Sequence, residues 1–448
     1  MVMVTPAWVQ RLQVTGLLAG VLLIGGCASW KVNQAAAELA SVGPGATLER
    51  LESIQVPDRD RAQYLLNTGI LKLYLGDWTG SREDLQAAKR IMQSLQAVSV
   101  SENFAAMTTN ETLRSYDGTP TDRVLVHVML ALGYLFSGDP DGARVEMLQA
   151  NVTMQTLAGD DSTRGQLASA RFLAGVVYER QGEWDDALIS YRHAYRILRE
   201  RGETIPEALQ ISLLNLTRRQ GFADEYRQLQ QAFGREAQLP ETGEGEWLLL
   251  YFDAVVSRKT ESRISVYNAE VDTMISVVMP QYPQGYYQPR HLTLAAPEQR
   301  QRSEVIENLE VRAREDLAAE QAKHLAAATV RAVAKYKMVQ KAQSQNDIGG
   351  VLMNIASVAT EQADIRSWNM LPASLQVARL RAPATAPVQL LETGQPLPAL
   401  QALGSRRLAL VMASSLTDHP FIYPPPPASA VTPAPDATDE KGESHEAP

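Results

Sequence analysis

One cysteine, Cys27, is the only thiol in this chain of 448 residues. Without a second one the fold cannot use an internal disulfide, even in an oxidising compartment, and must take its stability from packing. Basic clusters are missing too. The formal net charge is −9 and no run of Lys and Arg stands out, which argues against nucleic acid as a partner, because phosphate binding needs a basic patch that releases counterions. The six histidines are scattered singly, without the spacing of a metal site. Phosphate loops, His-Glu-x-x-His, clustered Cys and His, Gly-x-Ser-x-Gly and paired catalytic carboxylates are absent. Glu241, Glu244 and Glu246 read as a solvated loop. The sequence therefore supplies no catalytic, cofactor-binding or metal residue, and a non-enzymatic protein is expected.

A run of roughly 20 apolar residues, the length a membrane-spanning helix needs, is also lacking. What is present near the N-terminus is a shorter apolar stretch, Leu17 to Gly26, preceded by Arg11 and ending in Ile24-Gly25-Gly26-Cys27. A short apolar core closed by small residues reads as an export signal. Its last residues resemble the lipobox of bacterial lipoproteins; the alternative is an ordinary secretory signal beside an unmodified thiol. The resemblance implies removal of residues 1–26, diacylglycerol on the Cys27 sulfur and acylation of the new amine. Arg11 is the only charge removed, so the mature chain would carry −10. Several acyl chains, at about 0.8 kcal/mol per buried methylene, would anchor it firmly. In such lipoproteins Asp after the cysteine marks inner-membrane retention. Ala28 and Ser29 stand here, which implies a lipid-anchored protein of the outer membrane facing the periplasm.

Internal similarity centres on residues 171–198, where Gly175, Tyr178, Gly182, Ala187, Tyr191 and Ala194 fall on successive helical faces. This set resembles one tetratricopeptide repeat: small residues let two antiparallel helices approach, aromatics fill the space between turns, and Gly182 makes the turn. A copy aligned on Gly138 keeps Tyr134, Ala143 and Ala150. Another aligned on Gly76 keeps Gly69, Leu85 and Ala88, and a fainter one uses Gly221 and Phe233. The spacing is wider than the ~34 residues of a regular array, so the array is irregular, with an extended connection expected over 93–121. Such arrays present a concave surface to a peptide or protein; the alternative is that the helices pack against the following domain.

Beyond the loop 241–246 the pattern changes. Residues 247–256, 263–266 and 274–278 are rich in aromatic and β-branched residues and read as strands. The proline- and tyrosine-rich stretch 280–289 is either a binding loop or a stiff crossover. From Ser303, read as an N-cap with Glu304 and Glu307 in the first turn, a long helix is expected to about Gln345, then a short apolar helix over 350–359. Residues 389–391 and 408–412 read as late strands. Residues 416–448, rich in proline, are expected to be a disordered tail, either a tether or solvated chain without a role. The domains expected are thus the signal peptide 1–26, a TPR-like helical array over 27–240, an α+β domain over 241–415 with a short β-sheet and a long helix, and the tail. The fold class is mainly α.

Residues 364–372 read Asp-Ile-Arg-Ser-Trp-Asn-Met-Leu-Pro. Asp364, Arg366, Trp368 and Pro372 form the candidate structural or binding motif, a corner where Arg366 meets carbonyls or a carboxylate and Trp368 fills a gap. Together with residues 245–251 and 328–335, this run resembles a family of uncharacterised bacterial tetratricopeptide lipoproteins of the outer membrane, over most of residues 30–415. In that family the motif usually has Thr where Ile365 stands, and the first strand continues into a Gly and a Pro-Lys segment. Here residues 253–259 keep only the lysine, Lys259. The resemblance implies a lipid-anchored periplasmic scaffold or adaptor for unidentified envelope proteins, in cell-envelope or peptidoglycan-machinery assembly. Two rivals stand beside it: an envelope enzyme or ligand-binding protein acting on a cell-wall or surface polymer, and a component of an export or surface-organelle assembly. A packed Arg366 would favour the structural reading, and a deep polar pocket beside Arg366 or Lys259 the first rival.

Overall fold

The computed structural model describes residues 27–96, 115–158, 165–285, 287–343, 362–404 and 408–426. The expected signal peptide, the expected helix over 350–359 and the tail beyond 426 lie outside the described residues. Helix α1 (Cys27–Glu52), bent at Gly43 where φ is 81°, precedes four helical hairpins: α2 (Arg61–Tyr74) with α3 (Trp78–Gln96), α4 (Pro120–Phe136) with α5 (Pro140–Ala158), α6 (Ala168–Gln181) with α7 (Trp184–Glu200), and α8 (Glu207–Arg219) with α9 (Ala223–Phe233). Gly76, Gly138, Gly182 and Gly221 sit in the turns with φ of 76°, 86°, 83° and 77°, a left-handed conformation that favours glycine. The extended connection expected over 93–121 is shorter at both ends, because α3 runs to Gln96 and α4 starts at Pro120.

The two helices of each hairpin differ in kind. The outer helices α3, α5, α7 and α9 bury one stripe, such as Ala187, Tyr191, Ala194 and Leu198 of α7. The inner helices α2, α4, α6 and α8 are buried almost all round. A helix apolar on every side needs cover on every side, and the second cover is a sheet from the C-terminal half of the same chain.

That sheet has the order β11-β10-β1-β7-β6, from β1 (Glu244–Asp253), β6 (Glu304–Asn308), β7 (Ser374–Pro383), β10 (Leu408–Ser414) and β11 (Phe421–Tyr423). Only β1 and β10 run parallel. Alternate side chains point to opposite faces. Leu248, Leu250 and Phe252 of β1, with Leu410 and Met412 of β10, join the core of the helical array. Trp247, Leu249 and Tyr251, with Ala409 and Val411, pack against a second antiparallel sheet, made of β4 (Thr293–Ala295), β5 (Arg300–Arg302), β8 (Val388–Leu390) and β9 (Gln395–Leu397). The result is three layers, with β1 buried on both faces. The junction of helices and sheet is tight: only a cavity of about 20 Å³ lies among Val128, Phe172, Leu250, Ile306 and Val377. The hairpin β2 (Thr260–Asn268) and β3 (Thr273–Gln281) stands apart and lays Ile275, Val277 and Met279 on Ala328, Ala332 and Val333 of the long helix α10 (Leu309–Gln343).

Several expectations are corrected. Residues 304–308 form strand β6, paired with β7, so Ser303 does not cap the long helix; the carboxamide of Asn308 does, accepting the Val311 amide at 3.1 Å. Glu246 is no solvated loop residue but lies buried in β1 against Arg379, 2.7 Å away. Order continues past residue 416, because β11 pairs with β10 and its Phe421 meets Trp78 edge-on with ring centroids 4.8 Å apart.

The acidic residues around β6 serve other helices. Glu304 accepts the backbone N–H of Glu207 at the start of α8. Glu307 accepts that of Ser169 at the start of α6 at 3.3 Å, and Asp316 of α10 accepts that of Thr121 at the start of α4 at 3.0 Å. The residues preceding α6 and α8, Leu167 and Pro206, make no side-chain cap of their own. Carboxylates from one short segment thus satisfy orphan N–H groups of three inner helices, where the helix dipole also favours negative charge.

Candidate functional site

The motif 364–372 is drawn as an extended chain along α2 and the turn before it. Gln63 donates to the carbonyl of Ser367 at 3.1 Å, Asn67 accepts the Met370 amide at 3.0 Å, and the Tyr74 hydroxyl donates to the Met370 carbonyl at 3.3 Å. Residues 63, 67 and 74 share one face of α2 by their spacing of four and seven. Asn369 donates to Asn33 of α1. A polar ladder on the first inner helix therefore reads the backbone of a distant segment of the same chain.

Arg366 lies at the centre. Its Nε donates to Asp364 Oδ1 at 2.8 Å, Nη2 to Asp364 Oδ2 at 2.6 Å, and Nη1 to Asp60 Oδ1 at 3.0 Å and to the Arg59 carbonyl at 3.1 Å. Its guanidinium also lies 6.0 Å from the centre of the Tyr116 ring, within reach of a cation–π contact. Lys259 donates to the Arg366 carbonyl at 3.3 Å, so the lysine shared with the resembling family ends at this corner. Burial pushes the Asp364 carboxyl up, but the charge and hydrogen bonds of Arg366 outweigh it and hold the group below its ordinary value. Burial lowers the Arg366 guanidinium, and its two carboxylates outweigh that and raise it. Trp368 and Pro372 are buried, and Trp368 belongs to the core shared by the helices and the sheet. With its donors occupied, this arginine has nothing left to offer a substrate. Chemically the corner is a clamp, a packed arginine held by carboxylate and backbone partners.

The repeat residues form one compact set. A Cβ on Gly175 would stand 2.5 Å from the Tyr191 ring, so the two helices meet there without a side chain between them. Tyr191 donates to Glu179 at 2.7 Å. Ala187 and Ala194 are fully buried, Tyr178 lies under Arg144 with 5.9 Å between guanidinium and ring centre, and Gly182 makes the turn. Cys27 begins α1.

A second buried arginine was not legible in the sequence. Arg379, on the helix face of β7, donates to Glu179 of α6 at 2.6 Å, to Glu246 of β1 at 2.7 Å and to Ser212 of α8 at 2.8 Å. Burial pulls its pKa down, and the two carboxylates outweigh that and push it well up. No local spacing connects residues 179, 212, 246 and 379; only the three-layer packing does. Among the described residues no group of three His, Cys, Asp or Glu side chains is placed to hold a metal ion, and no helix is long and apolar enough to cross a membrane.

No family model matches the chain, and no curated protein matches it. Solved structures do align with part of it. The Rap protein complexed with competence and sporulation factor aligns over 45% of this chain and 49% of its own, at 13% identity and a TM-score of 0.30. Aspartyl phosphate phosphatase F from Bacillus subtilis aligns over 51% and 57%, at 12% identity and 0.32. MamA protein aligns over 48% of this chain and 100% of its own, at 15% identity and 0.30. The chain spans about half the length of the Rap structure it matches.

Proposed function

We propose that this protein is a scaffold that engages other envelope proteins through the outside of its helical array, while Cys27 carries the lipid that tethers it to the outer membrane. The observation that carries the reading is where free surface remains. The inner helices, which in an open array would face a peptide, are covered by the chain's own sheet. The expectation of a concave binding groove is thereby corrected: the helices pack against the following domain, because α4 and α6 are apolar on both faces and could not stand against water.

Outside, α5 exposes Val145, Leu148 and Val152 by 48%, 42% and 60%. Their spacing of three and four places them in one stripe, and an exposed apolar stripe is a characteristic of a protein contact. The lipid anchor is supported by the lipobox-like residues before Cys27. A role in envelope or peptidoglycan-machinery assembly rests on the family resemblance at residues 364–372 alone. Photo-crosslinkers placed at Leu148 and, as a control, at exposed Val330 of α10 in the membrane-bound protein test the reading. A discrete protein adduct specific to position 148 is expected; equal, diffuse labelling from both positions would count against it. For the anchor, Cys27→Ser is expected to move the protein from the membrane fraction to the soluble periplasm.

A further inference from the structure

A polar cleft lined by none of the residues of the Arg366 corner lies elsewhere in the described residues. About 690 Å³ in volume, it opens where the carboxyl ends of the parallel strands β1 and β10 meet the loops of the second sheet, and Arg290, His291, Glu392, Thr393, Ser415 and Asp418 line it. That volume lies in the usual range for small-molecule sites.

The lining is anchored on Asp253, the last residue of β1, which is fully buried and holds Arg290. Its Oδ2 accepts the Tyr287 hydroxyl at 2.6 Å and the Arg290 amide at 2.8 Å; its Oδ1 accepts the Tyr251 hydroxyl and Arg290 Nε, each at 3.2 Å. These donors neutralise the buried carboxylate and fix Arg290 by both backbone and side chain. Only Nε is engaged, and the side chain is 66% exposed, so the outer edge of the guanidinium is presented as a fork of donors suited to a carboxylate. His291 Nδ1 lies 2.7 Å from the Ser303 carbonyl. That nitrogen must carry the proton, which leaves Nε2 of the neutral ring as an acceptor.

Negative groups line the same cleft. Both oxygens of Glu392 are fixed by the amide and hydroxyl of Thr293 at 2.7 Å, and Asp418 is exposed. The backbone supporting the floor is strained: Ala254, next to Asp253, has a φ of 56° and is pinned by its amide to Ser415 Oγ at 2.8 Å. Strain of this sort in a non-glycine residue persists where the surroundings over-determine it, and it collects at binding sites.

We infer that this cleft binds a small zwitterion of the amino-acid or dipeptide class, its carboxylate on Arg290 and its ammonium group on the Glu392 and Asp418 side. A simple anion would meet two carboxylates and a simple cation would meet Arg290; only a ligand bearing both charges is matched by the lining. The inference does not depend on the scaffold reading, and either can fail alone.

Titration calorimetry of the detergent-solubilised full chain with L-alanyl-L-alanine, its N-acetyl form and its C-amide form tests it. The free dipeptide is expected to bind saturably, with each blocked form weaker by about tenfold, the usual cost of leaving a charged hydrogen-bonding group unmatched. Arg290→Gln and Asp418→Asn should each weaken the free dipeptide by a similar factor. Because Arg290 also supports Asp253, Asp418→Asn, at an exposed position, keeps the test independent of folding. No saturable binding of the free dipeptide, equal binding of the blocked forms, or unchanged affinity in Asp418→Asn would overturn the inference.

Discussion

At residue 254 the chain carries a methyl group where its backbone favours none. Ala254 has a φ of 56°, and a left-handed conformation costs an L-residue roughly 1–2 kcal/mol relative to glycine. Ala254→Gly is therefore expected to stabilise the protein by about 1 kcal/mol, less the entropy glycine adds to the unfolded chain, read as a higher midpoint in urea. Arg366 lies at the opposite extreme. Replacing it by Met removes the guanidinium that pairs with both Asp60 and Asp364. Only Arg59, 3.8 Å from Asp60, and the charge of Lys259 near Asp364 are left, a loss toward the lower end of the about 3–5 kcal/mol of a buried pair broken from one side. The pH dependence has a defined sign. The folded pKa of Asp364 is held below its ordinary value by Arg366, so the stability it contributes is complete above the unfolded pKa and is lost as pH falls through the lower folded value. In Asp364→Asn the acid limb of a stability-against-pH curve below about pH 5 is expected to be shallower, which denaturation at several pH values measures.

At the scale of elements, the inner helices depend on carboxylates from elsewhere in the chain. Glu307→Ala removes the acceptor at the start of α6 and leaves Arg201 and Arg312 without it. Loss of a cap costs about 0.5–2 kcal/mol and loss of a buried ion-pair partner more; faster amide exchange in the first turn of α6 is the local readout. Gly175→Ala tests the hairpin itself. Its methyl would meet the Tyr191 ring at 2.5 Å, and overpacking of this kind costs about 1–3 kcal/mol.

These elements also show what sequence reading can reach. The hairpins were legible because each turn needs a glycine and each close approach a small residue, and both signals are local. Strand β6 was misread because Ser303, Glu304 and Glu307 imitate a capped helix start; their carboxylates cap helices about a hundred or more residues away. The pairing of β11 was hidden by its proline-rich neighbours. Gln63 and Asn67 gave no signal, since a polar residue that holds a distant backbone looks like any other on a helix.

At the scale of the whole molecule, the array and the α+β half share one core. Arg379 joins α6, α8 and β1 through β7, and Arg366 joins the turn before α2 to the chain leading into β7. The apolar runs of β1 and α4 signalled burial, and the step the sequence withheld was that each is buried by the other half. An array whose inner face is closed in this way leaves only its outer face free for a partner, and it cannot open without unfolding the sheet that fills it.

Amide hydrogen exchange of the full chain, followed by mass spectrometry, tests that integration most directly. The account predicts that α2, α4, α6 and α8 exchange together with β1, at the free energy of global unfolding, while the outer helices, buried along one stripe only, open earlier at their ends. Rapid exchange across α4 and α6 while β1 stays protected would mean that the sheet leaves the array, and would contradict the account.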